Sequence, residues 1–281
     1  MGAMGDAAEL DVVGLARLTE ATDGVSPLDE ATLLAVRNRP EAVTVWGDAR
    51  GFGLVHGDEL SLVVLPHERG AGLGRRLLLL APETATLAWS HGDHPAARAL
   101  AAAHGWSRGR ELWLMRRPAS LAVPTANPPD GVTVRGFAAG DEEELLRVNA
   151  AAFAHHPEQG SLTLDGLQER MREPWFSAEG LITAWDDQSG RLLAFHWTKV
   201  DGVLPSGAPA GEVYVVGVDP AAQGRGLGRL VTLAGLSHLV SRGVDEIHLY
   251  VEGDNRPALG LYSGLGFTHA AADTHVQYRR D

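Results

Sequence analysis

Residues 213–229 read VYVVGVDPAAQGRGLGR. A β-branched apolar run ends at Asp219-Pro220, a glycine-rich turn follows, and a helical pattern begins at Leu227. Strand, phosphate-sized loop and helix, in that order, gather backbone N–H groups and a helix N-terminus around an anion. Glycines let the backbone come close, because no Cβ stands in the way. Two ligand patterns that share this layout fail. A P-loop ends in Gly-Lys-Ser/Thr, whereas Gly228 is followed by Arg229 and Leu230. A dinucleotide fingerprint needs G-x-G-x-x-G. Counted from Gly224, its third glycine falls on Arg229, although Glu246 lies where an acidic ribose partner would be sought. What remains is Gln223-Gly224-Arg225-Gly226-Leu227-Gly228. The plain alternative is an ordinary strand–turn–helix connection.

The same layout occurs earlier in the chain. Leu62-Val63-Val64-Leu65-Pro66 leads into Arg69-Gly70-Ala71-Gly72-Leu73-Gly74, with Pro66 matching Pro220. Downstream, a short helix at residues 96–106 ends His104-Gly105-Trp106, and its counterpart at 257–267 ends Leu265-Gly266-Phe267. Two features in the same order at nearly the same separation predict a tandem duplication. Between the copies lies a proline-rich stretch without periodicity, which reads as a linker. The predicted organisation is a first domain over residues 1–118, a linker over 119–131 and a second domain over 132–281. The patterns predict a strand running into a helix at 10–18, a helix from Ser26-Pro27 to about Arg37, and three strands at 43–46, 51–56 and 59–65. In the second half they predict helices at 141–153, 164–172, 227–242 and 255–265. Strands are predicted at 132–135, 181–185, 192–200, 212–218, 247–252 and 276–279.

The formal net charge is −12, and Lys199 is the one lysine among otherwise arginine bases. Such a chain is poorly suited to nucleic acid and better suited to a neutral or cationic small molecule. There is no cysteine, hence no disulfide framework and no thiolate chemistry. No apolar run reaches membrane-spanning length and no signal-peptide layout opens the chain. The expectation is a cytoplasmic monomer with no membrane and no nucleic-acid partner.

The hexapeptide 223–228 fits Gln/Arg-x-x-Gly-x-Gly/Ala at every fixed position, and so resembles the acyl-CoA pyrophosphate loop of the GNAT N-acetyltransferases. The order of elements, occurring twice, is similar to that fold repeated in tandem. The resemblance implies an α/β architecture of two domains, each a mixed, mostly antiparallel sheet flanked by helices. It implies acetyl-CoA as co-substrate and no metal. It assigns Gln223, Gly224, Arg225, Gly226, Leu227, Gly228 and Arg229 to the pyrophosphate. Backbone groups of Val216, Gly217 and Val218 would hold the pantetheine arm and the thioester oxygen, with Asn255 facing the pantetheine. In the first copy, Leu62, Val63, Val64, Gly70, Gly72 and Gly74 stand at equivalent places. That copy is expected to be degenerate and non-catalytic, since Ala101 takes the place of Tyr262 and Ala71 that of Arg225. Glu212, where the strand begins, is the expected base, directly or through a water; the plain reading is a carboxylate that solubilises a strand end. Tyr262 is the expected acid for the leaving thiolate, against a core tyrosine packed on Leu259 and Phe267. A narrower resemblance rests on residues 156–160 (HPEQG), 195–199 (FHWTK), 212–220 and 249–252 (LYVE). It points to tandem members that acetylate the cysteinyl amine of cysteine–glucosamine–inositol. It implies Glu30, Glu158, Lys199, Glu212 and Tyr250 as acceptor-binding residues.

Other signals are thin. His155-His156 and His91-x-x-His94 lack an H-E-x-x-H helix and a cysteine partner, and no G-x-S-x-G elbow occurs. Two readings compete with the leading one: a tandem GNAT enzyme acting on another amine, such as an aminoglycoside or a peptide N-terminus, and an acyl-CoA sensor without turnover. The pairing of a base with an acid argues against the sensor.

Overall fold

The structure is a computed structural model, and it describes residues 10–155, 159–204 and 207–280. In chain order the elements are α1 (Val12–Asp23), α2 (Glu30–Asn38), β1 (Val43–Asp48), β2 (Gly51–His56), β3 (Glu59–Val64), α3 (Leu73–Leu79), β4 (Leu87–Ser90), α4 (Pro95–Ala103), β5 (Trp106–Pro118) and β6 (Val132–Gly136). They continue with α5 (Glu142–Ala152), α6 (Leu164–Met171), β7 (Leu181–Asp186), β8 (Leu192–Val203), β9 (Pro209–Val218), α7 (Leu227–Ser241), β10 (Glu246–Glu252), α8 (Arg256–Ser263) and β11 (Thr268–Arg280).

The helix starts follow their capping chemistry. Within residues 10–18 the expected helix forms but the strand before it does not: the Asp11 carboxylate accepts the Gly14 N–H at 2.8 Å and opens α1 at Val12. The second helix begins after Asp29, not at Ser26. Asp29 accepts the Thr32 N–H at 2.6 Å, whereas the Ser26 hydroxyl donates to the Leu28 carbonyl and closes a turn.

The chain divides into two compact units. One holds the residues up to Trp113, then Glu252–Asp254 and those from Ala270 on; the other holds Leu114–Val251 and Asn255–His269. In the first unit β1, β2 and β3 form an antiparallel meander. β3 then pairs in parallel with β4, through Glu59↔Leu87 and Leu60↔Ala88. The residues of β11 from Val276 to Arg279 lie antiparallel to β4. Apolar clusters cover both faces. Val12, Leu15, Leu28, Phe52 and Leu54 belong to one, and Trp46, Leu73, Leu77, Trp106 and Val276 to the other.

In the second unit β6, β7, β8 and β9 are successive antiparallel neighbours, and β10 joins β9 in parallel. One face carries Leu145, Val148, Leu167, Phe195 and Trp197, packed with α5 and α6. The other carries Ala194, Leu227, Leu230 and Val231, with Val216 and Val218 against them. Burying each such leucine contributes about 1.5–3 kcal/mol, so α7 is the best-anchored helix of the unit. The expected linker does not begin loose. Ala119 is buried and its N–H donates to the Asp245 carbonyl at 2.9 Å. The buried Arg117 guanidinium donates to the carbonyls of Leu265, Leu121 and Ala122 at 2.8–3.0 Å, which ties down residues 118–122.

Candidate active site

The site is built around β9. Its pairing with β10 covers Ala210 to Val213 and ends at Val213↔Leu249. Beyond that point β10 has left the edge of β9. On the other side β8 stays paired with β9 up to Ala194↔Val218, and the Asp219 N–H donates to Leu193 O at 2.8 Å in the same register. Backbone groups alternate in direction along an antiparallel strand. Val215 and Gly217 therefore bond towards β8, while Val216 and Val218 turn their N–H and C=O to the vacated edge. Two of the three expected backbone residues thus face an open strand edge. Gly217 does not, and its missing side chain has a packing cause: a Cβ there would run into the Phe195 ring.

The register of β8 on β9 shifts between Trp197↔Val215 and Thr198↔Val213. Tyr214 is the extra residue of this bulge, a device that re-aims a side chain. Its ring stacks at 5.1 Å on Trp175 and at 5.5 Å, edge-on, on Trp197, and its hydroxyl accepts from Arg170 Nε at 2.9 Å.

At the strand's end Asp219 caps a short turn over Pro220–Ala222, its carboxylate accepting the Ala221 N–H at 2.9 Å. Arg147 of α5 donates to the other oxygen of Asp219 at 2.5 Å and also binds Glu144 and Leu192 O. The Arg147 guanidinium, together with Leu192 N–H and Arg191, holds the Glu144 carboxyl down to about 2. This network fixes the entry to the loop, and sequence reasoning missed it. Gly224 and Gly226 take φ of +78° and +76°, where only glycine is at ease. Gly226 caps α7 without a side-chain hydrogen bond, so the first-turn N–H groups are left for a ligand. Leu227 is buried as the anchor, and a Cβ on Gly228 would lie 3.3 Å from Val218 Cγ2, so helix and strand pack closely. Gln223, Arg225 and Arg229 are exposed. Open N–H groups, glycines at positive φ and a vacated strand edge together fit an acyl-CoA diphosphate and its pantetheine arm.

Glu212 stands in a lateral row. Lys199 is its partner on β8 and His248 its partner on β10. Laterally paired residues point to the same face of a sheet. His248 Nε2 lies 3.7 Å from Glu212 Oε2, with side chains 19% and 16% exposed. Burial, with the Arg116 and Lys199 cations, pushes the imidazole down to about 4. At neutral pH this contact is therefore a neutral ring beside a carboxylate and not an ion pair. Lys199 Nζ lies 3.7 Å from Asp201 and within 5.0 and 5.5 Å of the Trp175 and Tyr214 rings. Tyr250, half exposed, meets His248 edge-on at 6.0 Å. Lys199, Glu212 and His248, with Tyr250 two positions on from His248, thus form one polar strip. His248 was missed because only the β9–β10 register reveals it.

Tyr262 lies in α8, buried, with Phe267 edge-on at 5.8 Å. Burial pushes its phenol up to about 12. Asn255 caps α8 through the Ala258 N–H at 3.2 Å. Glu30 belongs to the first unit, as the first residue of α2 after the Asp29 cap. Glu158 and His156 lie outside the described residues.

The first unit repeats the cradle with differences. β3 parts from β4 after Leu60↔Ala88, and Gly70 and Gly72 take φ of +80° and +78°. Leu62 and Val64 are partly buried and Val63 fully, and a Cβ on Gly74 would meet Val64 at 3.8 Å. Arg69 folds back, donating to Val64 O at 3.1 Å and holding Asp23 with both terminal nitrogens. Ala101 is buried where the second unit has Tyr262. His94 caps α4 and His91 Nδ1 meets His275 Nδ1 at 3.0 Å, so both have structural partners.

A strand edge vacated by its parallel neighbour, above a glycine-rich turn into a helix, defines the acyl-CoA-dependent N-acetyltransferases. Residues 150–267 match the Acetyltransferase (GNAT) family. Solved structures agree on the fold. A GCN5-related N-acetyltransferase from Sphaerobacter thermophilus has TM-score 0.68 at 23% identity, covering 95% of this chain and 91% of that one. A tandem GNAT protein from the clavulanic acid biosynthesis pathway has TM-score 0.69 at 21% identity, covering 97% and 96%. Curated relatives are more specific. A mycothiol acetyltransferase of Nocardioides sp. is 60% identical, with 96% of each chain covered, and one of Thermobispora bispora is 47% identical over 96% and 95%. The chain belongs to the mycothiol acetyltransferase family.

Proposed function

We propose that this enzyme transfers the acetyl group of acetyl-CoA to the cysteinyl amine of cysteine–glucosamine–inositol, giving mycothiol, with the chemistry confined to the second unit. The parting of β9 from β10 just beyond Glu212 carries the reaction class, and the relatives' shared name supports the acceptor.

The loop N–H groups from Gln223 to Arg229 take the diphosphate, where the helix dipole adds roughly 0.3–1 kcal/mol. Val216 and Val218 offer backbone groups to the pantetheine arm and to the thioester oxygen. Backbone donors preset for an oxyanion are commonly the largest single contribution to such a step. An α-amine has an unperturbed pKa of about 7.7–8, so at neutral pH most of it must lose a proton before it attacks. Glu212 takes that proton, directly or through one water. The amine nitrogen then bonds to the carbonyl carbon, the carbon–sulfur bond breaks, and Tyr262 donates its phenolic proton to the leaving sulfur. A phenol raised to about 12 stays protonated through the working range. Its transfer to a thiolate whose acid lies near 8.5 is uphill in isolation, so recovery of a proton from the emerging ammonium must accompany it. Lys199 and Tyr250 supply donors for the acceptor hydroxyls. Glu158 is a further acceptor ligand on this reading.

A thiol-release assay with acetyl-CoA and a panel of amines tests the proposal. Release with the cysteinyl pseudodisaccharide, well above that with aminoglycosides and peptides, is expected. A preference for either of those classes would replace the acceptor, and no release with any amine would remove the enzymatic reading.

A further inference from the structure

We infer that Trp175 is an acceptor-positioning residue, whose indole fixes the Lys199 ammonium beside Glu212 and presents its outer face to the carbohydrate part of the acceptor. The inference rests on the acceptor proposed above. Trp175 lies between α6 and β7 and is half-buried. The Lys199 ammonium is 5.0 Å from that ring and 5.5 Å from the Tyr214 ring, within the roughly 6 Å reach of a cation–π contact. The Lys199 side chain is only 12% exposed, with the Asp201 carboxylate at 3.7 Å. An ammonium so far from water depends on its surroundings for its charge and position.

The rings are themselves held. Tyr214 is the bulged residue of β9, and Arg170 of α6 binds its hydroxyl at 2.9 Å while donating to Gly166 O at 3.0 Å. Trp175 leans on Tyr214 at 5.1 Å. Lys199 is also the lateral partner of Glu212 across the β8–β9 pair. The result is an aromatic face bordered by a cation and a carboxylate. A sugar ring has the matching form, an apolar C–H face with hydroxyls at the rim. A polyamine does not match, because it offers neither an apolar ring face nor rim hydroxyls.

The test uses the full chain, unmutated and as Trp175→Leu and Trp175→Phe, with thermal melts to check folding. Each is assayed with cysteine–glucosamine–inositol, cysteine–glucosamine and cysteinamide. For Trp175→Leu the ratio of kcat/KM for the full precursor to that for cysteinamide should fall about tenfold, with the loss in the acceptor KM. Trp175→Phe should recover part of that ratio. Should the leucine variant not fold, the phenylalanine variant carries the test, since its ring keeps the packing and should give a smaller loss in the same ratio. A proportional loss on all three acceptors, or an unaltered ratio, would overturn the inference while leaving the proposed function standing. If the unmutated enzyme shows no preference for the precursor over cysteinamide, the proposed acceptor fails and the inference fails with it.

Discussion

Glu212 is a strand-edge carboxylate in sequence and the middle of a charged row in the structure, flanked by Lys199 and His248. Because the neighbouring imidazole is neutral at working pH, it does not ion-pair with the base. Glu212→Gln should therefore lower kcat near pH 7 by about 10²–10⁴-fold and abolish the acidic limb of the pH–rate profile. Rate should return at high pH, where bulk solvent deprotonates the amine. A variant with the parent rate at pH 7 would make Glu212 a structural residue. At this scale the sequence was informative about placement: Glu212 lies in a strand, and Gln223 and Gly226 in the turn before a helix, as the patterns predict. It was silent where strand register decides. His248 acquires meaning only by lying opposite Glu212, and Tyr214 only by being bulged. Gly217 likewise makes room for the Phe195 ring, a contact that only the β8–β9 register reveals.

The elements hold one contrast between glycines. Gly226 and Gly72 cap α7 and α3 in the same left-handed conformation, and a Cβ at either would meet nothing within 4 Å. Replacing each by valine imposes a similar backbone strain, of order 1–3 kcal/mol, so a difference in activity reports on ligand binding. Gly226→Val should abolish turnover, and Gly72→Val should leave a large fraction in the folded protein. Equal losses would contradict a catalytic second unit with a degenerate first. Gly235 of α7 lies against the buried His196 ring of β8, which a Cβ would overlap. Gly235→Ala should destabilise by about 1–3 kcal/mol through overpacking, seen as a lowered denaturant midpoint with little change in slope. Most helices and strands were readable because caps and periodicity mark them. β5 was not: WSRGRELWLMRRP carries four polar or charged positions and a glycine in its first seven residues, and it reads as a loop without its neighbours. The last strand is also far longer than its apolar core predicts. Its residues from Ala270 on belong with the first unit, a return that no local pattern encodes.

Over the whole molecule, buried histidines set the response to acid. His196 donates through Nδ1 to Val231 O at 3.0 Å and is pushed down to about 4, chiefly by burial. The unfolded chain, with a histidine near 6.5, binds this proton more readily than the folded one. The stabilisation is therefore full above pH 6.5 and declines as pH falls towards 4. At about 1.4 kcal/mol per unit it amounts to something on the order of 3 kcal/mol. Unfolding free energy should drop across that window, and His196→Gln should flatten the slope by up to about one proton. An unaltered slope would assign the acid response elsewhere. The tandem plan was legible because the glycine loop and the helix–Gly–aromatic ending recur in order, and a solved tandem GNAT protein has a similar fold over 97% of this chain. The acceptor is the central claim. Cysteine in amide linkage presents an ammonium without a carboxylate to a chain of net charge −12, and its sugar and inositol hydroxyls offer remote contacts that orient the amine. The direct measurement is kcat/KM over the full precursor, cysteine–glucosamine, cysteinamide, free cysteine and spermidine. It should fall stepwise as inositol and then glucosamine are removed, with free cysteine and spermidine lowest. Free cysteine or spermidine matching the full precursor would contradict the account.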